Sequence, residues 1–511
     1  MKENKCVLSL VNSKFYPLLL FVVSFVFVML FSRSTSFLYL FEGGDPSVFK
    51  QMGLALLRGK ILYIDYFDNK GCILYFIQAL GLWLGGNFFI LLMQVISLTI
   101  TLIIWDKMLA LYRNESQRLV CLIVALVMLL CFYSAGDQSQ EWCLPYISYP
   151  LLIYFRAYKT KTEIRPFQMF LIGLCFGVIT FIQVNNACAI VGFLAYLWIH
   201  YLLEKDFRKF FSSLMSFLSG LMIVAVACVL YFYLKAGWHG VYEMVYASFL
   251  SNFEYIGADF GRRPFFTIPY ILFLLVFTLI QLVNSHKEKG IIIPMLISLV
   301  LFALTFGKLC NMYYLMAILP LCIVSMMTTD FSENKKTKYS LCGILLICLA
   351  YFACNPMLHL VEDLILHKER ELVIYDDFHH CIEGIPEVER DSIFNYNLYS
   401  PGTSMMHHEG LIQCNRVLFT SLAFSLPTLW KEETETPLAA PKWMMLSWDI
   451  VYEDEDATFI IDNYDLYCEF MYDKIYLKKP KVGEAFTVYI YRRKDAENRI
   501  AAINKKISDR E

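Results

Sequence analysis

Long apolar runs alternate with short polar segments through the first two thirds of the chain. Eleven of these runs are about 14 to 23 residues long, close to the length of helix that crosses a hydrocarbon core of about 30 Å. They cover about 15–34, 88–105, 118–134, 144–157, 167–184, 187–203, 212–234, 265–283, 290–306, 312–328 and 340–354. Because no soluble core needs so many apolar runs in succession, the pattern predicts a polytopic α-helical membrane protein with about eleven transmembrane helices.

A further apolar segment, 71–86, decides the predicted topology. It is short for a span and ends in two glycines. If it does not cross, the basic residues between the spans fall on the cytoplasmic side, as the positive-inside rule requires, whereas they move outside if it crosses. These residues are Lys107, Arg113, Arg156, Lys159, Lys161, Arg165, Lys205, Arg208, Lys209, Lys287, Lys289, Lys335, Lys336 and Lys338. We therefore predict that 71–86 is a re-entrant or interfacial helix in the first external loop.

The odd number of crossings that follows separates the two termini of the chain. The first apolar run follows a short basic segment and has no A-x-A-like cleavage site after it, so we interpret it as an uncleaved anchor with a cytoplasmic N-terminus. Loop 35–87, loop 135–143, the long loop 235–264 and the whole tail then face the outside. The predicted location is the inner (plasma) membrane of a bacterium.

The chain changes character after about residue 355, where charged residues become frequent. Short β-like runs at 372–375, 443–448 and 486–491 alternate with helical patterns at 378–395, 426–436 and 457–473. Strands that alternate with helices are typical of an α/β domain, although the sheet can be mixed. We therefore divide the chain into a transmembrane domain, 1–354, and a small soluble extracytoplasmic α/β domain, 355–511.

Composition supports the membrane assignment but says little about partners. Hydrophobic residues make up 58% of the chain and charged residues only 18%, against about 25% charged in soluble globular proteins. The net charge of -2 carries little information, because charge in a membrane protein is sorted by side, and we predict no nucleic-acid partner. Most of the 16 cysteines lie in apolar segments, so we interpret them as small buried hydrophobes rather than as a disulfide framework.

The first external loop collects charged residues beside an apolar segment. Asp45 stands where a helix N-cap is expected, with Pro46 at the first helical position, so one interpretation is that Asp45 only caps this helix. The loop also carries Asp65, Asp68 and Lys70 directly before segment 71–86. Ionisable groups held against an apolar wall are costly unless they are paired or used, which favours a functional role for this loop.

The same loop resembles the first external loop of GT-C glycosyltransferases. The resemblance rests on Asp-x3-Phe-x3-Gly from Asp45, followed by Gly-Lys-Ile-Leu-Tyr-x-Asp-x-Phe-Asp-Asn-Lys-Gly before an apolar helix. Protein O-mannosyltransferases and lipid A aminoarabinose transferases belong to this superfamily. Many bacterial relatives have His where this chain has Asn69, and Pro where it has Cys72. Both departures lie next to Lys70 and should alter local geometry.

The resemblance implies a chemistry for the loop. GT-C enzymes transfer a sugar from a polyprenyl-phosphate carrier to an acceptor on the outer side of the membrane, and the lipid donor arrives from the bilayer. Asp45 matches the acidic residue that deprotonates or orients the acceptor hydroxyl. Lys70 matches the cation that holds the leaving phosphate. Asp65 and Asp68 are candidates for substrate binding, and nearby carboxylates also stabilise an oxocarbenium-like transition state.

Further candidates lie in the other external segments. Glu141 occupies the position of an acidic residue that precedes the following span in many relatives, although it could also be an interfacial Glu wetted by solvent beside Trp142. Arg262 and Arg263 could hold the donor phosphate or pair with anionic lipid headgroups. Asn185 and Asn186 could bind a sugar or cap the break between two helices. These alternatives stay open at the level of sequence.

No metal motif is found. His379, His380 and Cys381, with His407, His408, Glu409 and Cys414 later, match no zinc spacing, so we predict surface histidines and no metal site. GT-C relatives differ in their need for a divalent metal, and the cofactor therefore stays open.

The predicted function is an inverting glycosyltransferase that moves a sugar from a polyprenyl-phosphate donor to an envelope glycan, lipid or protein. The alternative is a transporter or flippase of lipid-linked saccharide. Transporters often consist of repeated halves with charged residues near the midplane, whereas here the polar residues collect in external loops, which favours the enzyme.

Overall fold

In the computed structural model, the described residues are 14–38, 44–133, 136–252, 254, 289–306, 312–328, 368–396, 398–414, 416, 441–447, 460–473 and 485–494. The predicted spans 265–283 and 340–354, the pair Arg262 and Arg263, and the predicted tail helix 426–436 lie outside these residues. So does the predicted domain boundary at residues 354 and 355, which stays a prediction.

Helices account for most of the described residues. In chain order they are α1 Tyr16–Phe31, α2 Gly44–Leu57, α3 Cys72–Gly85, α4 Asn87–Leu109, α5 Glu115–Phe132, α6 Ser139–Thr160, α7 Pro166–Gln183, α8 Cys188–Leu203, α9 Phe207–Val245, α10 Lys289–Phe306, α11 Leu319–Thr328, α12 Lys368–Glu383 and α13 Tyr399–His408. A π-helical turn, Tyr246–Leu250, extends α9, and 3-10 turns cover Val184–Ala187, Met312–Ile318 and Glu387–Ser392.

The chain forms two compact units. The first contains Met1–Leu38 and Asn69–Leu360, and the second contains Tyr39–Asp68 together with Val361–Glu511. Most of the first external loop, including α2, therefore packs with the C-terminal part of the chain. This association could not be predicted from local sequence patterns, because it depends on contacts between residues more than 300 positions apart.

The first unit is a bundle of apolar helices. Within the described part of the chain, Asn87–Leu109, Glu115–Phe132, Pro166–Leu203 and Phe207–Leu250 have the length and composition to cross a membrane. Shorter apolar helices cover Tyr16–Phe31, Cys72–Gly85, Lys289–Thr305 and Tyr313–Thr328. Each of these helices coincides with a predicted span or with segment 71–86, so the helical membrane class is confirmed. The number of crossings and the re-entrant nature of 71–86 stay predictions.

Basic residues meet at one set of helix ends in this bundle. Lys209, at the start of α9, forms ion pairs with Glu163 at 2.9 Å, between α6 and α7, and with Asp206 at 2.7 Å. Lys159, at the end of α6, lies 4.5 Å from the ring centroid of Tyr112, between α4 and α5. The connections that carry the predicted cytoplasmic charges are therefore neighbours in space, as the positive-inside interpretation requires.

Helix α9 departs from the predicted boundaries of its span. The predicted span 212–234 lies in a helix that runs from Phe207 to Val245 and has non-helical backbone at Ala236 and Gly237. Gly237 has a φ of 62° and a ψ of -151°, a conformation that is essentially restricted to glycine. The start of the predicted loop 235–264 is thus helical, because a glycine kink redirects the helix without ending it.

The second unit contains a mixed four-stranded sheet. The strands β1 Ile393–Asn395, β2 Trp443–Leu446, β3 Tyr464–Asp473 and β4 Ala485–Arg493 lie in the order β1-β2-β4-β3. The β1 and β2 strands are parallel, and the other two pairs are antiparallel. Apolar residues of α12 and α13, among them Phe378 and Met406, form one core with residues of β1, β2, β3 and β4.

Two predicted strands of the tail are confirmed and three other elements are wrong. Segments 443–448 and 486–491 contain β2 and β4, whereas 372–375 belongs to helix α12. Helix α12 ends at Glu383, so the predicted helix 378–395 is too long, and most of the predicted helix 457–473 is strand β3. Short apolar runs suit either a buried helix face or a strand, and pairing with β4 outweighs the helical pattern of β3.

A disulfide joins α12 to β3 in the second unit. Cys381 and Cys468 are 87 residues apart in sequence, and their Cα atoms are 5.9 Å apart. The sequence interpretation did not anticipate this bond. The interpretation of cysteines as small buried hydrophobes does hold for the helix bundle. The cysteines there that are buried and free are Cys72, Cys121, Cys131, Cys143, Cys175, Cys188, Cys228 and Cys322.

Candidate active site

Lys70 lies immediately before α3 and is almost fully buried. Its side chain is 8% exposed, and its Nζ donates a hydrogen bond of 2.7 Å to Oδ1 of Asn69. The Asn69 carbonyl in turn accepts a bond of 3.0 Å from Nδ2 of Asn252, beyond the π-helical turn of α9. Asn69, which stands where many relatives have His, thus supplies an acceptor that orients the lysine.

Gly71 fixes the backbone next to Lys70. Its N–H donates to the carbonyl of Ile182 at 2.9 Å, and a Cβ built on Gly71 would overlap the carbonyl group of Phe181. The φ of Gly71 is -76°, which any residue can adopt, so space alone requires glycine here. The backbone of the loop is thus held tightly against the C-terminal end of α7.

Glu141 is a buried carboxylate surrounded by hydrogen-bond donors. It is 2% exposed, so the interpretation of a solvent-wetted interfacial Glu is wrong. Tyr133 donates to Oε1 at 2.6 Å, the backbone N–H of Asp137 donates to Oε2 at 2.9 Å, and Nε2 of Gln94 lies 3.2 and 3.1 Å from the two oxygens. Burial raises the pKa of Glu141 to about 8, whereas the hydrogen bonds from Tyr133, Gln94 and Asp137 oppose this shift.

Hydroxyl groups orient the Gln94 amide toward Glu141. Its Oε1 accepts hydrogen bonds from Thr35 and, at 3.3 Å, from Ser32. The opposite amide orientation would face the Gln94 carbonyl toward the carboxylate, so the two hydroxyls determine which end donates. One buried polar network thereby joins residues that follow α1 with residues in α4, at the end of α5 and at the start of α6.

Asp137 belongs to the same network. Its Oδ1 accepts bonds from Nε2 of Gln78 at 2.7 Å and from the Trp142 indole at 2.8 Å. Asp137 and Gly136 have φ angles of 55° and 72°, and a Cβ on Gly136 would overlap Ser32. This tight turn directs both Asp137 and Glu141 inward, and Trp142 is buried rather than part of an aromatic belt.

Asn185 and Asn186 lie in the 3-10 turn between α7 and α8. The side chain of Asn186 donates to Sγ of Cys143 at 3.3 Å, and no side-chain cap is present at the start of α8, so the capping interpretation is wrong. Among the described residues, Oδ1 of Asn186 and Oε1 of Gln78 and Gln138 are buried without a hydrogen-bond partner. Nearby, Gln183 accepts a bond from Gln140 at 2.9 Å.

The three aspartates of the first loop lie in the second unit. Asp45 is partly buried in the first turn of α2, one residue inside the helix rather than at its N-cap, a shift within the usual uncertainty of helix ends. Asp68 is 5% exposed. Asp65 is exposed, and its Oδ2 accepts a bond of 2.7 Å from the N–H of Ile61. Lys70, Glu141, Asn185 and Asn186 belong to the first unit.

The histidines of the tail form hydrogen bonds with glutamates. His379 lies 2.8 Å from Glu409 and 3.1 Å from Glu383, and its hydrogen bond to the Glu409 carboxylate is the main cause that raises the pKa of His379. In the described part of the chain, no group of three or more His, Cys, Asp or Glu side chains could hold a metal ion.

Several network residues were missed from the sequence. Gln78 and Gln94 are single amides in otherwise apolar helices, and such residues are costly in a membrane unless they find partners, so their position was an available signal. Tyr133 carried no comparable signal, since its role depends on the turn that joins α5 to α6. Asp137 was a weaker alternative to Glu141 as the acidic residue of this loop.

Comparisons with known proteins identify the family and the fold. The family model of the putative competence-induced protein Ccs4 N-terminal domain matches residues 6–340. No curated protein matches the chain significantly.

Among solved structures, ArnT from Cupriavidus metallidurans bound to undecaprenyl phosphate has a TM-score of 0.58 at 11% identity, over 93% of this chain and 98% of that one. The apo form of ArnT has a TM-score of 0.57 at 12% identity, over 93% and 97% of the two chains. The Archaeoglobus fulgidus oligosaccharyltransferase tethered with an acceptor peptide has a TM-score of 0.50 at 11% identity, over 90% of this chain and 73% of that one. The chain therefore shares the fold of ArnT and of this oligosaccharyltransferase, which confirms the predicted resemblance at the level of the fold.

Proposed function

Because the chain belongs to the family of the competence-induced protein Ccs4 and has the GT-C fold, we propose that it is a membrane glycosyltransferase with a polyprenyl-phosphate sugar donor. The acceptor is an envelope glycan, lipid or protein on the outer face of the membrane. The reaction inverts the anomeric centre, because the acceptor displaces the leaving group in a single step.

The buried lysine at the start of α3 carries this proposal. Lys70 is 8% exposed and held by Asn69, and the backbone beside it is locked to α7. Burying a charged ammonium group in a bundle of apolar helices costs free energy. A polyprenyl phosphate would supply both a negative charge for this ammonium and a tail that lies in the membrane. The ArnT structure bound to undecaprenyl phosphate, which has the same fold, supports this substrate class.

The proposed reaction transfers the sugar from phosphate to a hydroxyl group. The acceptor oxygen bonds to the anomeric carbon while the bond from that carbon to the phosphate oxygen breaks. Polyprenyl phosphate leaves with the electron pair, and the hydroxyl proton goes to Asp45 as general base. Lys70 stabilises the negative charge that grows on the leaving phosphate.

Glu141 serves as the second carboxylate of the proposed mechanism. Each of its oxygens already accepts two hydrogen bonds, which uses about all four acceptor sites of a carboxylate. A saturated carboxylate is poorly suited to take a proton from the acceptor, but it can stabilise the positive charge of an oxocarbenium-like transition state. We therefore assign Glu141 to charge stabilisation and Asp45 to proton transfer.

The remaining candidates are proposed as binding residues. Asn186 has a buried carbonyl oxygen without a partner among the described residues, and with Asn185 it would accept hydrogen bonds from sugar hydroxyls. Asp65 and Asp68 would contact substrate from the first loop. Arg262 and Arg263 keep their proposed role as a second contact to the donor phosphate.

The proposed orientation puts the N-terminus in the cytoplasm and the second unit outside. The disulfide between Cys381 and Cys468 supports it, because disulfides persist in oxidising compartments and are rare in the cytosol.

Lipid-linked sugars in cells with and without the gene test the function. Loss of the transferase should leave its donor unused, so a polyprenyl-phosphate sugar should accumulate while one sugar disappears from the envelope. Restoring the wild-type gene should reverse both changes, whereas a gene with Lys70→Met should not. Unchanged lipid-linked sugars and an unchanged envelope would contradict the proposal.

A further inference from the structure

A polar cavity lies within the second unit. It has a volume of about 530 Å³ and is lined by Arg58, Lys60, Asp65, Tyr66, Asp391, Ile412 and Cys414. Ligand sites typically have volumes of about 300–1,000 Å³. Its lining residues come from the first external loop and from the C-terminal part of the chain.

The wall that contains Arg58 is fixed by charged contacts. The guanidinium of Arg58 contacts both the carboxylate of Asp391 and the carbonyl of Gly410. The N–H of Ile412 donates to Oδ1 of Asp391 at 3.1 Å. Both charged side chains remain partly open to solvent, with exposures of 34% for Arg58 and 45% for Asp391, so they are held in place and can still contact a ligand.

A second part of the cavity lining, formed by Asp65, Tyr66 and Cys414, is held by the turn that follows α2. Asp65 closes this turn through its bond to the N–H of Ile61, and the hydroxyl of Tyr66 donates to the carbonyl of Gln413. Burial of Tyr66 raises the pKa of its hydroxyl, so Tyr66 stays neutral and donates. The N–H of Cys414 donates to the carbonyl of Ile393 in β1 at 2.9 Å. The cavity is therefore preorganised by the sheet.

The lining determines which chemistry fits. Two carboxylates accept hydrogen bonds, and Arg58 and Lys60 donate them, so a group with many hydroxyls matches the cavity better than an apolar chain. Lys60 is exposed, and in the described part of the chain its ammonium forms no ion pair or side-chain hydrogen bond. An anionic substituent, such as a phosphate ester or a carboxylate, would complement this charge.

We propose that this cavity binds the acceptor, a saccharide that carries an anionic substituent. The proposal rests on the proposed function, because it names the acceptor of that transfer. It also gives the second unit a role: Asp65 and Asp391 contact hydroxyl groups, and Lys60 contacts the anion.

The test separates acceptor binding from donor chemistry. Full-length protein in lipid nanodiscs is given a radiolabelled polyprenyl-phosphate sugar, with envelopes from cells lacking the gene as the source of acceptor. Transfer to the envelope and release of free sugar by water are measured together. Lys60→Glu should reduce transfer about tenfold or more at low acceptor concentration and leave hydrolysis unchanged, because a repulsive carboxylate replaces the ammonium. Lys60→Arg should retain transfer.

Lys494→Glu is the control for a charge reversal in the same unit, since Lys494 is exposed and does not line the cavity. Its Nζ donates to the carbonyls of Ile461 and Asp462, so a loss of stability in this variant is compared with that of Lys60→Glu. Equal transfer by wild type and Lys60→Glu, or equal loss of transfer and hydrolysis, would overturn the acceptor site. An absence of any donor turnover in the wild type would instead contradict the proposed function. In that case, ligand-detected NMR with glucose 1-phosphate and glucose still decides the cavity: the phosphate ester should bind to the wild type and not to Lys60→Glu, and no binding to either would overturn it.

Discussion

At the scale of single residues, Glu141 shows how neighbouring groups determine what a buried carboxylate can do. The motif around it indicated an acidic residue of the site, but the sequence could not reveal that Gln94 and Tyr133 hold it, because these contacts join residues on different helices. Lys70 is different, since its motif is local and its orienting partner is the adjacent Asn69. The sequence could therefore point to both residues, but it could not show the network around Glu141, and the chemical roles of both residues stay predictions.

Gln94 should act as a positioning residue for Glu141. Gln94→Met removes the donor to both carboxylate oxygens while it keeps most of the side-chain volume. We expect kcat to fall about tenfold with little change in the KM of the donor, because the lost bond acts on the charge of Glu141 rather than on substrate. Burial raises the pKa of Glu141 to about 8 and the hydrogen bond from Gln94 lowers it, so loss of this donor raises the pKa further. The proposed charge stabilisation needs the ionised carboxylate, so the rise of activity with pH should move to higher pH.

A pH profile of transfer by the purified protein checks this expectation. Thr101→Val is the control, because Thr101 is equally buried in α4 but donates only to the carbonyl of Ser97 in its own helix. If Gln94→Met loses activity with an unshifted pH profile, its role is structural only.

At the scale of elements, sequence patterns were most informative where one force dominates. Long apolar runs predicted helices α4 to α8 because transfer into lipid fixes both their length and their helical state. In the tail, helix 457–473 and strand 372–375 were wrong, since weak local preferences there are decided by pairing with β4 and by the core around Phe378. Helix α3 was predicted from the sequence, but its close contact with α7 could be seen only in the structure.

The contact between α3 and α7 should be sensitive to a single methyl group. Gly71→Ala would push its Cβ against the carbonyl of Phe181, and backbone at this point has little freedom to move. We expect the free energy of unfolding to fall by about 1–3 kcal/mol and transfer to fall further, because Lys70 is displaced.

Gly85→Ala, at the other end of α3, is the control. Its Cβ would meet only the ring of Phe89, a side chain that can turn, and alanine is the better helix former. Thermal unfolding in detergent should separate the two variants. Equal stabilities would mean that the close approach at Gly71 does not matter.

At the scale of the whole molecule, the residues proposed for the reaction belong to two units of the chain. The helix bundle contains Lys70 and Glu141, whereas Asp45 lies in the unit that also contains the C-terminal sheet. The membrane class and the GT-C fold could be predicted from hydropathy and one loop motif. The association of that loop with the tail could not, because nothing in the local pattern of either segment encodes a partner so distant in sequence.

Sugar transfer by the purified full-length protein from a polyprenyl-phosphate donor tests the central claim most directly. Turnover per folded molecule should be measurable for the wild type and should fall on the order of 10²-fold in Lys70→Met, by analogy with the loss of one group that stabilises an oxyanion. Asp45→Asn should lose turnover with little loss of stability, since Asn suits a helix start about as well as Asp. A Lys70→Met protein that turns over the donor as fast as the wild type would contradict the account.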